Sequence, residues 1–514
     1  MDRLTMKSAD LKQTNIEKMA QLFPQVITEV RDERGKLKRA IDFELLKQEL
    51  ADEIVDGDNE RYLFTWPGKK EAILASNTPT DKVLRPVMEE SSDWENTENV
   101  YIEGDNLEVL KILQNSYMGK VKCIYIDPPY NTGKDFIFKD DFSMCTSQYN
   151  LRTSQYNCGC TVEENEADGR FHSGWLTMMY PRLKLARNLL KDDGVIFVSI
   201  DNNEVYNLQR MMNEIFGESN YIETFIWTKT CTPPSLSNKS RKTAEYVLCY
   251  EKNVSNIKYF GEKLDNGDAP LLNTGNPVRV LKFPKGTIRF TFCQEGRISA
   301  GKYNKVEVLN DFCIKEGLNE SEVSLKGEFK WTAEFLLNEI KKGTYFIIKS
   351  SSRFSVRFQR VNCEGRFKAP TNMVEVELNK NNAVGTNESA VKELETLGMG
   401  RCFDYPKPVS LVKKAINMVV KDEKEAIILD FFSGSATTAH AVMEINANDT
   451  GSRKFIMVQK QEIIPIDSIA YKAGFKDICN IGRERIRRAA KKLKDDVGAD
   501  IDYGFKVYRL ESPI

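Results

Sequence analysis

Four consecutive residues, Asp127-Pro128-Pro129-Tyr130, close an apolar run, Val121-Lys122-Cys123-Ile124-Tyr125-Ile126, that reads as a buried strand. A carboxylate beside a backbone carbonyl suits an amino group on an aromatic ring. The lone pair of such a nitrogen is delocalised into the ring, which makes it a poor nucleophile. Two acceptors holding its two N–H bonds favour a pyramidal nitrogen and release the lone pair. Asp127 supplies one acceptor, and the carbonyl of Pro128 supplies the other, its direction fixed by the prolines. Tyr130 offers a ring on which a base stacks, worth roughly 1–3 kcal/mol per base. A base in a duplex must be flipped out to reach such a site. The plain alternative is a Pro-Pro turn after a strand, with a capping aspartate.

A second turn, Asp430-Phe431-Phe432-Ser433-Gly434-Ser435-Ala436-Thr437-Thr438, lies between a predicted strand and a predicted helix. Its small residues let backbone approach a cofactor closely. It lacks the Gly-Lys-Ser/Thr ending of a phosphate loop and the GxGxxG spacing of dinucleotide folds. A simple strand-to-helix turn is the alternative. His172 and His440, the two histidines of the chain, have no Ser or Asp partner at the spacing of a nucleophile triad and read as structural. Eleven cysteines are scattered without a CxxC, and Cys145, Cys158 and Cys160 have no fourth ligand nearby. No metal is expected, and a reduced, cytoplasmic protein fits.

The elements around these turns alternate. Val100–Ile102, Val121–Ile126, Val195–Asp201, Phe225–Trp227, Tyr246–Tyr250, Ala426–Asp430 and Lys454–Gln459 read as strands. Leu107–Gln114, Trp175–Leu190, Asn203–Phe216, Lys407–Val420 and Thr437–Ile445 read as helices. Strands alternating with helices predict an α/β sheet in mostly parallel order. Residues 1–95 are charged and predict a helical region, 96–254 one half of the α/β domain and 396–514 its other half with a basic C-terminal helix. Residues 255–395 lose the strand–helix rhythm and predict an inserted domain. The stretch from Asn131 to Phe171 predicts a flexible loop, with a short direct repeat at 146–157. The 514 residues carry a formal net charge of −1, so nucleic-acid binding would rest on local clusters. No apolar run is long enough to span a membrane, and Met1 to Asp10 has no signal-peptide core.

Five segments in order give the chain a family resemblance. These are Ile102-Glu103-Gly104-Asp105-Asn106-Leu107, Asp127-Pro128-Pro129-Tyr130-Asn131-Thr132-Gly133, Met179-Tyr180-Pro181-Arg182-Leu183, Tyr405-Pro406-Lys407-Pro408, and Asp430 to His440. Together they resemble the amino-methyltransferases of DNA in their circularly permuted, β-type order, most closely the Mod subunits of type III restriction–modification systems. The resemblance implies a Rossmann-like S-adenosylmethionine-dependent sheet and transfer of a methyl group to the N6 amino group of adenine in duplex DNA. Catalysis falls to Asp127, Pro128, Pro129 and Tyr130. The cofactor falls to Asp430, Phe432, Gly434, Ser435 and Thr437, to Lys407 and Ser410 at its carboxylate, and to Asp105 facing its adenine. Asp105 is equally a helix N-cap. Ala436 replaces a common second glycine, which requires φ below zero there. Gln459 stands where an acidic residue often grips the ribose.

The insertion then becomes a target-recognition domain. Arg353-Phe354-Ser355-Val356-Arg357-Phe358-Gln359-Arg360, as a strand, puts Arg353, Arg357 and Gln359 on one face, suited to base edges, or simply to water. Arg483 and Arg487 of the tail helix suit phosphates or solvent equally. Implied partners are double-stranded DNA, a second copy of the chain and a separate restriction subunit. The rival readings are N4 methylation of cytosine, for which the family favours Ser in place of Asp127, and a non-catalytic specificity subunit.

Overall fold

The computed structural model describes residues 11–22, 26–31, 37–43, 46, 64–133, 163–233, 238–262, 267–361, 367–374 and 384–513. The repeat at 146–157 and Cys145, Cys158 and Cys160 lie outside them. The chain forms two compact units, one of residues 1–259 with 371–514 and one of residues 260–370.

The larger unit begins with α1 (Leu11–Leu22) and a hairpin of β1 (Ile27–Arg31) and β2 (Leu37–Ile41). Next come α2 (Lys69–Asn77), β3 (Val83–Pro86), β4 (Val100–Glu103), α3 (Asn106–Tyr117) and β5 (Val121–Ile126). They are followed by α4 (Glu163–Leu189), β6 (Leu190–Ile200), α5 (Val205–Phe216), β7 (Tyr221–Thr228) and β8 (Ala244–Glu251). After the second unit the chain resumes with β9 (Met373–Val374), α6 (Asn387–Thr396), α7 (Val409–Val420), β10 (Ile427–Asp430) and α8 (Thr437–Asp449). It closes with β11 (Lys454–Gln459), α9 (Ile478–Val497) and β12 (Lys506–Glu511).

These strands make one sheet in the order β9-β7-β8-β6-β5-β10-β11-β4-β12-β3. From β6 to β12 every neighbouring pair is parallel. Such a sheet is covered on both faces, so its strands are apolar throughout rather than alternating with polar residues. All six residues of β5 are buried. Cys123 and Tyr125 face a core shared with α7, α8 and α9, and Ile124 and Ile126 face a core shared with α3, α4 and α5. The same alternation puts Val195 and Phe197 on the first side and Ile196 and Val198 on the second. β8 is antiparallel to both β6 and β7. Hence the start of β8 and the end of β7 reach the sheet edge where β5 and β6 terminate.

Several expectations need correction. The region 1–95 is not helical throughout: it holds the β1–β2 hairpin, and β3 pairs antiparallel with β12 at the edge of the main sheet. The loop expected up to Phe171 ends earlier, because α4 begins at Glu163. The second unit is narrower than 255–395, since β9 and α6 belong with the sheet. β12, which the sequence reading missed, inserts between β4 and β3.

The second unit has its own aromatic core, including Phe283, Phe290, Phe346 and Phe354. Its described residues form a four-stranded antiparallel sheet, a seven-stranded sheet and one helix, Ala333–Lys341. The expected strand 353–360 begins only at Val356 and ends at Gln359. Phe354 precedes it with φ 42, so Arg353 is not on the strand face. Arg357 is tied within the unit, its Nε donating to Asp268 Oδ2 at 2.5 Å and one Nη to the Asp268 carbonyl at 2.9 Å.

Arg483 and Arg487 of α9 also serve the fold. Arg483 is buried between Glu90, at 2.8 Å, and Glu103 at the end of β4. Arg487 donates to the Glu90 carbonyl at 2.5 Å and lies over the Phe505 ring. The amphipathic face of α9 that suggested phosphate contact is thus the face that holds Glu90, the end of β4 and Phe505 just ahead of β12. Replacing Arg483 with Met leaves Glu103 buried with only Arg509 as cation and is expected to cost about 3 kcal/mol. Urea denaturation measures this; undiminished stability together with weakened DNA binding would return Arg483 to a phosphate role.

Candidate active site

β5 and β10 are neighbours, yet the chain leaves them in opposite directions, through α4 to β6 and through α8 to β11. Such a divergence opens a crevice beyond the carboxyl ends of the strands. A cavity of about 1330 Å³ lies there, lined by residues that include Asp105, Asp127, Pro128, Tyr130, Lys407 and Asp430. The two turns singled out from the sequence, some 300 residues apart, are both in its wall.

The tetrapeptide 127–130 is held from several sides. The Trp175 indole donates to the Pro129 carbonyl at 2.7 Å. Asn131 takes the left-handed conformation that asparagine tolerates, φ 56, and donates to buried Glu204 at 2.7 Å. His172 Nδ1 also meets Glu204, at 2.8 Å. Asp127 itself has a donor on each oxygen: the Tyr130 hydroxyl on Oδ1 at 2.9 Å and the Lys407 ammonium on Oδ2 at 2.9 Å. Lys407 lies 4.8 Å from the centroid of the Tyr130 ring and 3.5 Å from Glu245 of β8. Glu245 accepts from Lys229 at 3.0 Å and from the Tyr130 hydroxyl at 3.1 Å.

Asp127 is 29% exposed, to the cavity. Enclosure pushes its carboxyl above the usual range, with Lys407 opposing. Burial works against the charge of Lys407 too, but Asp127 and Glu245 outweigh it and hold the ammonium above its ordinary value. Glu245 is likewise buried, yet Lys407 and Lys229 bring its carboxyl below the usual range.

The turn after β10 forms the other wall. Asp430 is buried, accepting from the Phe432 N–H at 3.0 Å and the Thr438 hydroxyl at 2.6 Å. Gly434 has φ 51, and its N–H donates to Gln459 Oε1 at 2.7 Å, so the Gln459 amide braces the loop. A side chain on Gly434 would begin 3.1 Å from the Phe403 ring. Ala436 has φ 61 and ψ 38, not the negative φ expected of an alanine. Its N–H returns to the Ser433 carbonyl at 2.7 Å, and this tight turn imposes the left-handed conformation ahead of α8.

Other assignments separate. Phe432, Gly434, Ser435 and Thr437 line the cavity, as does Asp105, which also caps α3 by accepting from the Leu107 N–H at 3.0 Å. Behind the loop, buried Arg485 donates to the hydroxyls of Ser435 and Thr437 at 2.8 and 2.7 Å. Ser410 is not brought to the cavity wall; its hydroxyl accepts from the Gly385 N–H at 2.8 Å. Lys407 reaches the site, but toward Asp127 rather than toward the cofactor turn. Glu245, Lys229 and Arg485 were missed. A glutamate opening the apolar run Tyr246–Tyr250 was the available signal for the first.

The polar groups in this wall fit S-adenosylmethionine. Asp105 and Asp127 give the cavity carboxylates suited to a cationic sulfonium, and Asp430 adds a buried carboxyl group to the same wall. The Ser433 hydroxyl, which lines the cavity, is buried without a hydrogen-bond partner among the described residues. Among those residues there is no cluster of metal-ligating side chains and no helix long and apolar enough to cross a membrane.

A family model described as DNA methylase matches residues 121–471. The type III restriction-modification enzyme StyLTI Mod subunit of Salmonella typhimurium is 33% identical over 516 residues, 97% of this chain and 74% of the relative. The EcoPI Mod subunit of Escherichia phage P1 is 32% identical, over 88% of this chain and 72% of its own. A solved M1.HpyAVI–SAM complex overlaps with a TM-score of 0.30 at 11% identity, covering 75% of this chain and 98% of that one.

Burial pushes the Asp430 carboxyl up to about 7, from an ordinary 3.8. The folded chain therefore keeps a proton that the unfolded chain has released. The stability this group contributes is complete below pH 3.8 and is lost as pH rises through 7. Thermal melts without added cofactor, run across this window, should show wild type losing stability relative to Asp430→Asn. Parallel curves for the two proteins would mean that Asp430 is ionised in the fold.

Proposed function

This chain belongs to the DNA methylase family, with the Mod subunits of type III restriction–modification enzymes among its relatives, and from that premise we propose that it methylates the N6 amino group of adenine in duplex DNA. S-adenosylmethionine, when bound, supplies a methyl group on positively charged sulfur, already activated for transfer to nitrogen. The residues described above do the rest. Asp127 accepts one N–H of the flipped adenine, and the carbonyl of Pro128, a residue that lines the cavity, accepts the other. The Tyr130 ring provides the stacking platform, while its hydroxyl orients Asp127. Phe432 and the turn after β10 bind the cofactor, with Asp105 toward its adenine.

The observation that carries this reading is the donor pair on Asp127. A carboxylate that takes one donor on each oxygen keeps further lone pairs for an amino group. Its position between Tyr130 and Lys407 sets the direction of those lone pairs. Aspartate in this place supports adenine over cytosine. The intact, charge-balanced site speaks against a subunit that only binds DNA. The unit 260–370 is the recognition element, because it interrupts the catalytic sheet and has a core of its own. Its Arg357 braces Asp268 and is a weak candidate for reading bases; Arg353, which is exposed, is a better one.

The test is to sequence, base by base, the DNA of cells expressing the chain. The expected result is N6-methyladenine at one short sequence, none with Asp127→Ala, and a different sequence when 260–370 is exchanged for a relative's segment. N4-methylcytosine would reverse the base assignment, and an exchange that leaves the site unchanged would place recognition elsewhere. A separate restriction subunit and a second copy of the chain follow as partners. Light scattering after coexpression that showed only lone monomers would remove both.

A further inference from the structure

We propose that Glu245 is a positioning residue of this site: it shares both donors of Asp127 and so keeps that carboxylate available to the substrate amino group. The inference rests on the methyltransferase reading above. Glu245 sits in β8, between β6 and β7, and is 5% exposed. Its Oε1 faces Lys229 at 3.0 Å. Its Oε2 faces the Tyr130 hydroxyl at 3.1 Å and the Lys407 ammonium at 3.5 Å. These last two are the same groups that meet Asp127, each at 2.9 Å.

The sharing has a chemical consequence. Tyr130 has one hydroxyl proton and two carboxylate acceptors, so neither carboxylate holds it fully. Lys407 has three N–H bonds, and part of its Coulomb attraction is spent on Glu245. Asp127 is thereby oriented by two donors without being neutralised by either. Two carboxylates, Asp127 and Glu245, face two ammoniums, Lys407 and Lys229, so the cluster carries no net charge into a buried site. Without Glu245, Lys407 would close onto Asp127 alone, and the tyrosine hydroxyl would lose one of its anchors. The amino group of the base would then meet a carboxylate already satisfied by an ammonium.

Among the described residues, Tyr125 on β5 and Asp430 at the end of β10 also face Asp127, while Asp201, just past β6, faces Glu245 and Lys229 instead. The negative charge of Glu245 makes Asp127 harder to ionise. Its removal therefore moves the acidic limb of the rate to lower pH, even as the rate itself falls. A residue that merely supported the fold would not produce that combination.

The experiment compares wild type, Glu245→Gln and Glu245→Asp in single-turnover methyl transfer to plasmid DNA across a pH series. Calorimetry with S-adenosylhomocysteine reports the fold and the cofactor site. Glu245→Gln should slow transfer about a hundredfold, leave cofactor affinity within about twofold, and shift the acidic limb downward. Glu245→Asp keeps the charge but cannot span Lys229, Lys407 and Tyr130, so it should slow transfer with the limb in place. Asp201→Asn should leave the limb where it is. A Gln variant within about threefold of wild type, or a slow one with an unmoved limb, overturns the proposal. If the Gln variant binds no cofactor, the Asp variant decides, and an undiminished rate there overturns it equally. A wild type that methylates no DNA would instead fail the methyltransferase reading.

Discussion

The buried Lys407 ammonium stands between two carboxylates, 2.9 Å from Asp127 and 3.5 Å from Glu245. An ion in such a place has lost its water and persists only where its partners are held rigidly. Here the partners come from distant parts of the chain. Asp127 follows a central strand of the sheet, Glu245 opens an antiparallel strand on one flank, and Lys407 precedes α7. The pair Lys407–Asp127 spans 280 positions of sequence. Folding of the larger unit is therefore what assembles the site, and the site reports whether the sheet has closed correctly.

The sheet achieves this through its connections. β5 and β10 lie side by side, and their helices depart in opposite directions, so the two turns that carry chemistry open into one crevice. Around the crevice the fold spends buried arginines on bracing rather than on ligands. Arg485 fixes the hydroxyls of the turn after β10 from behind, and Arg483 joins α9 to the end of β4. Ala436 adds a left-handed residue where glycine would be cheaper. That turn is strained because its geometry is set by the closing hydrogen bond to Ser433.

Much of this was legible in the residues themselves. The parallel core strands announce themselves as apolar runs because both faces are covered, and the turns that follow them carry the acidic, small and aromatic residues of the site. What was hidden was long-range. β3 is a short edge strand and β12 beside it is mostly half-buried, both with little apolar signal, so this flank of the sheet could not be seen. The antiparallel run of β8 brings Glu245 to the active edge, and periodicity holds no information about strand direction. The arginines of α9 show a basic helix face, yet only the packing reveals that carboxylates from residues 90 and 103 meet it. Ser410, which the resemblance pairs with Lys407 at the cofactor carboxylate, turns instead to the backbone of Gly385. The strand face proposed around Arg357 depended on an extended Phe354, which the structure bends into the left-handed region.

If Asp127 and Lys407 act as one unit across the two halves of the interrupted sheet, their losses cannot add. A double-mutant cycle on single-turnover methyl transfer measures this with Asp127→Asn, Lys407→Met and the pair, each checked for cofactor binding. Each single variant should slow transfer by about a hundredfold or more, and the pair should be no more than about threefold slower than Asp127→Asn alone. Losses that multiply in the double variant would show two residues acting independently, and would contradict the coupling between them.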